Sequence, residues 1–147
     1  MYNFYERILS DSHFIVDKVP QNFIFIGIIN IILPNAKIIH LSRNPMDNCL
    51  SIYSMAFVNG QDYSYSLDNL AKYYNSYRDI MLHWKKEFGK NIFDISYEGL
   101  VDSPEDNIKK MLNYCGLVFE ENCLSFHKNK RAVLTPSSSQ VRKKMYK

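Results

Sequence analysis

Arg43 and Ser51, an arginine and a serine eight positions apart, are the residues of this sequence whose types and spacing best suit chemistry. A guanidinium presents a planar fork of donors that matches phosphate or sulfate oxygens, and a hydroxyl adds one more donor. The residues before Arg43, Lys37 to Leu41, read as a buried strand. Asn44-Pro45-Met46 reads as a turn, and Asp47 to Phe57 as a helix with Leu50, Tyr53, Ser54 and Phe57 on one face. On that reading Arg43 lies beyond the C-terminal end of a strand, where open α/β sheets bind ligands. Ser51 is about one turn into the helix, whose free N–H groups turn toward the same place. Guanidinium, hydroxyl and helix N-terminus together suit a dianion. The plainer alternative pairs Arg43 with Asp47 and lets Ser51 donate to a carbonyl behind it.

The elements that must position this pair follow from the pattern on either side. Residues 3 to 10 suit a short helix, and Phe14-Ile15-Val16 a short apolar strand closed by Asp17-Lys18-Val19-Pro20. Gln21 to Leu33 is apolar on nearly every face. Its isoleucines favour strand, but its length between Pro20 and Pro34 favours a buried helix, and helix is the reading taken. Ser66 is a natural N-cap for a long helix to Phe88, with Leu70, Tyr73, Tyr74, Tyr77, Met81 and Trp84 as its buried stripe and Gly89 as a C′ glycine. That aromatic stripe suits core better than a stacking platform. Asn91 to Ser96 is a second good strand, and Tyr97 to Leu100 leaves its C-terminal end. Ser103-Pro104-Glu105-Asp106 opens a helix with a Ser cap, Pro at N1 and acids in the first turn. It runs to Cys115 and ends at Gly116. A short helix covers Glu120 to about Lys128, and residues 131–147 read as loop. Strands alternate with helices, and the connections are too long for hairpins. The fold class is therefore α/β, with a parallel sheet flanked by helices.

Composition sets outer bounds. The chain has 147 residues, about one domain, and 46% of them are hydrophobic, enough for one core. A net charge of +3 gives no argument for a nucleic-acid surface. Basic residues collect near the end, from Lys128 to Lys147, and read as a solvated terminus. Cys49, Cys115 and Cys123 are odd in number and fit no zinc spacing, which points to a reducing, cytoplasmic compartment. The four histidines are scattered, so no metal is expected. No signal peptide opens the chain, and the most apolar run, Phe23 to Leu33, is too short to span a bilayer.

The stretch from Asp17 to Phe57, "DKVPQNFIFIGIINIILPNAKIIHLSRNPMDNCLSIYSMAF", resembles the nucleotide-binding core of sulfotransferases. It is most similar to the bacterial Golgi-type group that includes tyrosylprotein sulfotransferases and sulfotransferases fused to tetratricopeptide repeats. In that family an R-(x)7-S motif on a strand–turn–helix holds the 3′-phosphate of 3′-phosphoadenosine-5′-phosphosulfate, and Arg43 and Ser51 match it residue for residue. "DKVP" resembles the segment whose lysine approaches the transferred sulfuryl group, which gives Lys18 that role. "ISYEGLVDSP" resembles the strand end "YEDLV…P" whose tyrosine contacts the nucleotide, which gives Tyr97 that contact, with Gly99 where an acid is common. "SSSQVRKKMY" resembles a late loop that closes over the co-substrate, in which Ser137, Gln140, Arg142 and Lys143 match. Arg142 and Lys143 are its candidate contacts, and Lys144 replaces the usual proline.

The resemblance implies a P-loop-like sheet, a nucleotide donor, a hydroxyl-bearing acceptor and no metal. It also implies a glycine-rich loop that wraps the 5′-phosphosulfate with backbone N–H groups, well before the "DK" segment. Only 16 residues precede Asp17 and none is glycine. The expectation is therefore a single, incomplete sulfotransferase domain over residues 1–147, with a partial sheet that a partner or an additional N-terminal segment completes, and with weak or no turnover by itself. The alternative is a non-catalytic relative that keeps affinity for adenosine 3′,5′-bisphosphate or for a protein. A third reading, an unrelated α/β domain with a structural Arg43, would put Arg43 and Ser51 on opposite faces.

Overall fold

The computed structural model describes residues 14–55 and 61–128. At the centre, β1 (Ile38–Ser42) and β2 (Ile92–Ser96) pair in parallel, with Ile38 opposite Ile92 and Ser42 opposite Ser96. The parallel sheet expected from the long connections is thus present, as two strands among the described residues. Successive strand residues face opposite sides, so Ile38 and His40 share a face with Ile92 and Asp94.

That face is covered by α3 (Leu67–Phe88), the long helix. Ser66 caps it as expected, its hydroxyl accepting from the Asn69 N–H at 3.4 Å. The core gathers Ile26, Met81 and Ile92, with Ile38, Trp84 and Phe88 packed around them. Burying such aliphatic side chains stabilises by about 1.5–3 kcal/mol each. Upstream, a 3₁₀ helix (Pro20–Phe25) leads into α1 (Ile26–Ile32). The Trp84 indole N–H donates to the Phe23 carbonyl at 2.7 Å and fastens this unit to α3. Gly27 is required there, since a Cβ would stand 2.7 Å from the Trp84 ring.

On the other face, Phe93 stacks on Tyr114 of α5 (Pro104–Tyr114), and the Tyr114 hydroxyl donates to the Asn91 carbonyl at 2.6 Å. A short helix, α4 (Tyr97–Asp102), joins β2 to α5. No helix among the described residues is long and apolar enough to cross a membrane.

Several expectations are corrected. Phe14-Ile15-Val16 is not a strand: these residues are 60%, 68% and 91% exposed and have no strand to pair with among the described residues. Gln21 to Leu33 is helical but buried on one face only, because α3 packs on the Phe23–Ile26 side and leaves Ile28, Ile31 and Ile32 exposed. The helix after β1, here α2, spans Pro45–Tyr53 and ends before Phe57, which lies outside the described residues. Gly89 is not a left-handed cap: its φ is −55° and the chain continues as a 3₁₀ turn, whereas Gly116 does take a positive φ of 71°. Ser103 does not cap α5 with its side chain. Asn107 Nδ2 takes over the local carbonyls, donating to Gly99 O at 2.8 Å and Ser103 O at 2.9 Å. The last expected helix, Glu121–Lys128, is 3₁₀ rather than α, with a kink at Ser125.

Candidate nucleotide site

The two parallel strands end side by side, and each hands over directly to a helix. β1 ends at Ser42 and Arg43 follows. Asn44 then caps α2, its Oδ1 accepting from Met46 N at 2.9 Å and from Asp47 N at 3.4 Å. β2 ends at Ser96, whose hydroxyl caps α4 by accepting from Gly99 N at 3.0 Å. The two junctions are tied together, because the Asn44 backbone N–H donates to Glu98 Oε1 at 2.8 Å. That bond, a further one from its own backbone N–H and the nearby Arg43 hold the Glu98 carboxyl below its usual range, against a small opposing effect of burial and of Asp102.

Between the junctions lies a cavity of about 210 Å³ lined by Leu41, Ser42, Arg43, Asn48, Tyr74, Tyr77 and Tyr97. Closed small-molecule pockets run from roughly 300 Å³ upward, so this one suits one end of a nucleotide rather than the whole. The Arg43 guanidinium carbon lies 5.0 Å from the Tyr97 ring centre, a cation–π contact. Arg43 Nε is cut off from solvent and has no hydrogen-bond partner among the described residues. A charged donor in that state is costly to leave unmatched, and Arg43 itself lines the cavity, where the rest of its guanidinium fork can meet an anion.

The free helix N-terminus expected beside Arg43 is corrected. Pro45 has no N–H, Met46 and Asp47 donate to Asn44 Oδ1, and Asn48 N donates to Asn44 O at 2.9 Å. Of these only the long Asp47 contact is weakly held. Donors for an anion at this site must therefore come chiefly from side chains. The alternative pairing of Arg43 with Asp47 is absent from the ion pairs of the described residues.

The structure brings Arg43 and Tyr97 together at the cavity wall. Ser51 is half-buried on α2, the seventh residue of that helix rather than one turn in, and it does not line the cavity itself. It stands three residues beyond Asn48, which does line it, and positions three apart share a helix face. Lys18 is exposed in the extended segment before Pro20 and is not part of the cavity wall. Arg142 and Lys143, like Ser137 and Gln140, lie outside the described residues. Sequence reasoning missed Asn48, whose i, i+3 relation to Ser51 was the available signal. It placed Tyr74 and Tyr77 in the core, where they are half-buried, but not at a cavity.

Behind Tyr77 runs a chain of polar contacts. The Tyr77 hydroxyl meets His40 Nε2 at 2.5 Å, His40 Nδ1 meets Asp94 Oδ1 at 2.5 Å, and Lys85 Nζ lies 2.9 Å from the same oxygen. Burial pushes the Asp94 carboxyl up, but hydrogen bonds from His40 and Lys85 outweigh it and leave the group below its usual range. Burial first, with Tyr74 and Asp94 adding to it, pushes Tyr77 up to about 12. No cluster of three His, Cys, Asp or Glu side chains that would hold a metal occurs among the described residues.

A family model described as "Sulfotransferase family" matches residues 1–121. A protein of Aquifex aeolicus (strain VF5), described as "Uncharacterized protein", is 39% identical over 144 residues, which is 96% of this chain and 19% of that protein. The chain thus spans about a fifth of the length of the relative it matches.

Proposed function

The chain belongs to the sulfotransferase family, and on that premise we propose that the junction of β1 and α2 binds the 3′-phosphate of 3′-phosphoadenosine-5′-phosphosulfate. The observation that carries this is Arg43: a guanidinium at the wall of a polar cavity beyond the ends of two parallel strands, engaged in none of the ion pairs of the described residues. Asn48 and Ser51 supply neutral donors from one face of α2, and the Tyr97 ring fixes the guanidinium plane. The finer assignment within the family, to the Golgi-type group, rests on the "DKVP", "NPMDNCLS" and "SYEGLV" stretches.

The reaction of the whole protein is transfer of the sulfuryl group to a hydroxyl acceptor. The acceptor hydroxyl gives up its proton, which ends in solvent, as its oxygen bonds to sulfur; the bond from sulfur to the 5′-phosphate oxygen breaks, and adenosine 3′,5′-bisphosphate leaves. Lys18 is the cation assigned to the oxygen that takes up charge as this bond breaks, and Arg142 and Lys143 are assigned to a loop that closes over the nucleotide. Such transfer depends on fixed donors around the charge that develops. Among the described residues Gly27, Gly89, Gly99 and Gly116 lie in or at the ends of helices, not in a strand-to-helix loop that could wrap a 5′-phosphosulfate. The reading accordingly gives this chain the 3′ end of the nucleotide and weak or no turnover by itself. A reducing, cytoplasmic setting fits the unpaired Cys49, Cys115 and Cys123.

Calorimetric titration with adenosine 3′,5′-bisphosphate tests this, with adenosine 5′-monophosphate as the control that lacks the 3′-phosphate. Arg43→Ala is expected to weaken the bisphosphate by about 10- to 100-fold, the range for one lost charged hydrogen bond. Equal binding of the two nucleotides, or an Arg43→Ala variant as tight as wild type, sinks the reading.

A further inference from the structure

We infer that Tyr77 is the residue that reads the nucleoside: its hydroxyl oxygen accepts a hydrogen bond from an N–H or O–H of the base or ribose. This rests on the nucleotide reading above and adds a specificity determinant to it.

The argument follows the protons along the polar chain behind the cavity. An ionised carboxylate only accepts, so Asp94 Oδ1 must be met by donors. Lys85 Nζ, at 2.9 Å, is one. His40 Nδ1, on the same oxygen, is the other and carries its proton. With the imidazole neutral, which is the state this inference requires, the second nitrogen is an acceptor, and His40 Nε2 takes the single proton of the Tyr77 hydroxyl. Tyr77 has no proton left to offer. Its remaining lone pair is what it can present to the cavity, whose wall it forms together with Arg43, Asn48, Tyr74 and Tyr97.

The cavity is therefore divided by chemistry. Its Arg43 side offers donors and takes an anion. Its Tyr77 side offers an acceptor, which would repel a phosphate oxygen and match an amine or a hydroxyl. The elevated pKa of Tyr77 agrees with a phenol that keeps its proton engaged. The two donors of an adenosine nucleotide within that description are the exocyclic amine of the base and the ribose 2′-hydroxyl. The same chain also explains why a histidine and an aspartate occupy facing strand positions, His40 opposite Asp94, at the cost of apolar packing under α3.

The test is calorimetry of the full 147-residue chain with adenosine 3′,5′-bisphosphate, its inosine analogue, in which the amine becomes a carbonyl, and its 2′-deoxy analogue. Wild type is expected to bind one of the two analogues about three- to tenfold more weakly than the parent, the worth of one neutral hydrogen bond. Tyr77→Phe, which removes one oxygen and keeps the ring, is expected to abolish that difference by weakening the parent and the analogue that keeps the recognised group, and to leave the disfavoured analogue unchanged. The disfavoured analogue tells amine from hydroxyl. A wild type indifferent to both analogues, or a Tyr77→Phe variant that still discriminates, overturns the inference. If binding nonetheless requires the 3′-phosphate and Arg43, the nucleotide reading stands without it. If wild type binds none of the three, both fall.

Discussion

The Arg43 guanidinium carbon stands 5.0 Å from the centre of the Tyr97 ring. Arg43 leaves the end of β1 and Tyr97 leaves the end of β2, so this one contact closes the cavity across the seam of the sheet. The ring gives the guanidinium a rigid apolar floor, which limits its rotamers without using up a donor. Cation–π contacts of this kind contribute about 0.5–2 kcal/mol, depending on exposure. Tyr97→Leu is therefore expected to weaken adenosine 3′,5′-bisphosphate by about 2- to 30-fold, and Tyr97→Phe much less. Calorimetry of the two variants checks this. Equal losses would assign the effect to the hydroxyl instead of the ring.

Gly27 and Gly89 form a matched pair of opposite sign. A Cβ on Gly27 would stand 2.7 Å from the Trp84 ring, and that indole is pinned by its bond to Phe23 O. Gly27→Ala is expected to cost about 1–3 kcal/mol as an overpacked contact. Gly89 has φ −55° and nothing within 4 Å of a Cβ. Gly89→Ala is expected to stabilise by about 0.4–1 kcal/mol by narrowing the unfolded ensemble. Urea unfolding, followed by Trp84 fluorescence, reads both; two changes of the same sign would refute the packing described around Trp84.

What could be read in advance depended on whether the signal was local. The long helix was legible because the Ser66 cap and the Leu70–Trp84 stripe agree within one segment, although Gly89 does not end it as a left-handed cap. The two strands were legible from their apolar runs, and their parallel pairing from the length of chain between them. The start of α2 was misplaced although Asn44 followed by Pro45 is a strong cap signal, because the dipeptide was taken as a turn. α4 was missed: Gly99 inside six residues hides a helix whose existence depends on the Ser96 cap and on Asn44 reaching Glu98. Phe14–Val16 had strand composition, but a strand needs a neighbour, which composition does not supply. At the site, Arg43 was legible as chemistry and Tyr97 only through the resemblance, while the meeting of His40, Tyr77 and Asp94 depends on sheet register and on which face α3 covers. Lys18 is exposed and is not part of the cavity wall, so neither its composition nor its neighbours in sequence place it at the site.

The Asp94 contacts set an acid limit on stability. The folded carboxyl titrates below its usual value of 3.8 because the bonds from His40 and Lys85 outweigh its burial. The unfolded chain therefore takes up the proton more readily. The contribution is fully present above the unfolded value and is lost as pH falls through the lower folded one. Asp94 is 46% exposed, so each contact is worth only about 0.2–1 kcal/mol. Asp94→Asn is expected to lower the urea midpoint near neutral pH and to flatten its fall below about pH 4. Midpoints measured from neutral to acid pH decide it, and parallel curves for the two proteins would contradict the pairing.

The alkaline limit comes from tyrosine. Tyr63 lies face to face with Tyr73, ring centres 3.9 Å apart, and Tyr77 lies against Phe23 and His40. Burial first, and then tyrosine neighbours, pushes both Tyr63 and Tyr77 up to about 12. A folded value above the unfolded one favours the protonated form in the fold. Stability from these groups is therefore present below about 10 and lost as pH rises through about 12. Phenolate absorbance of the folded chain should then show a late phase after the exposed tyrosines among its 11 have ionised. Tyr63→Phe and Tyr77→Phe are each expected to remove one equivalent from that phase and leave the earlier one unchanged. If either variant instead removes an equivalent near 10, that hydroxyl is in water, and for Tyr77 the contact with His40 on which the polarity of the cavity depends would not exist in solution.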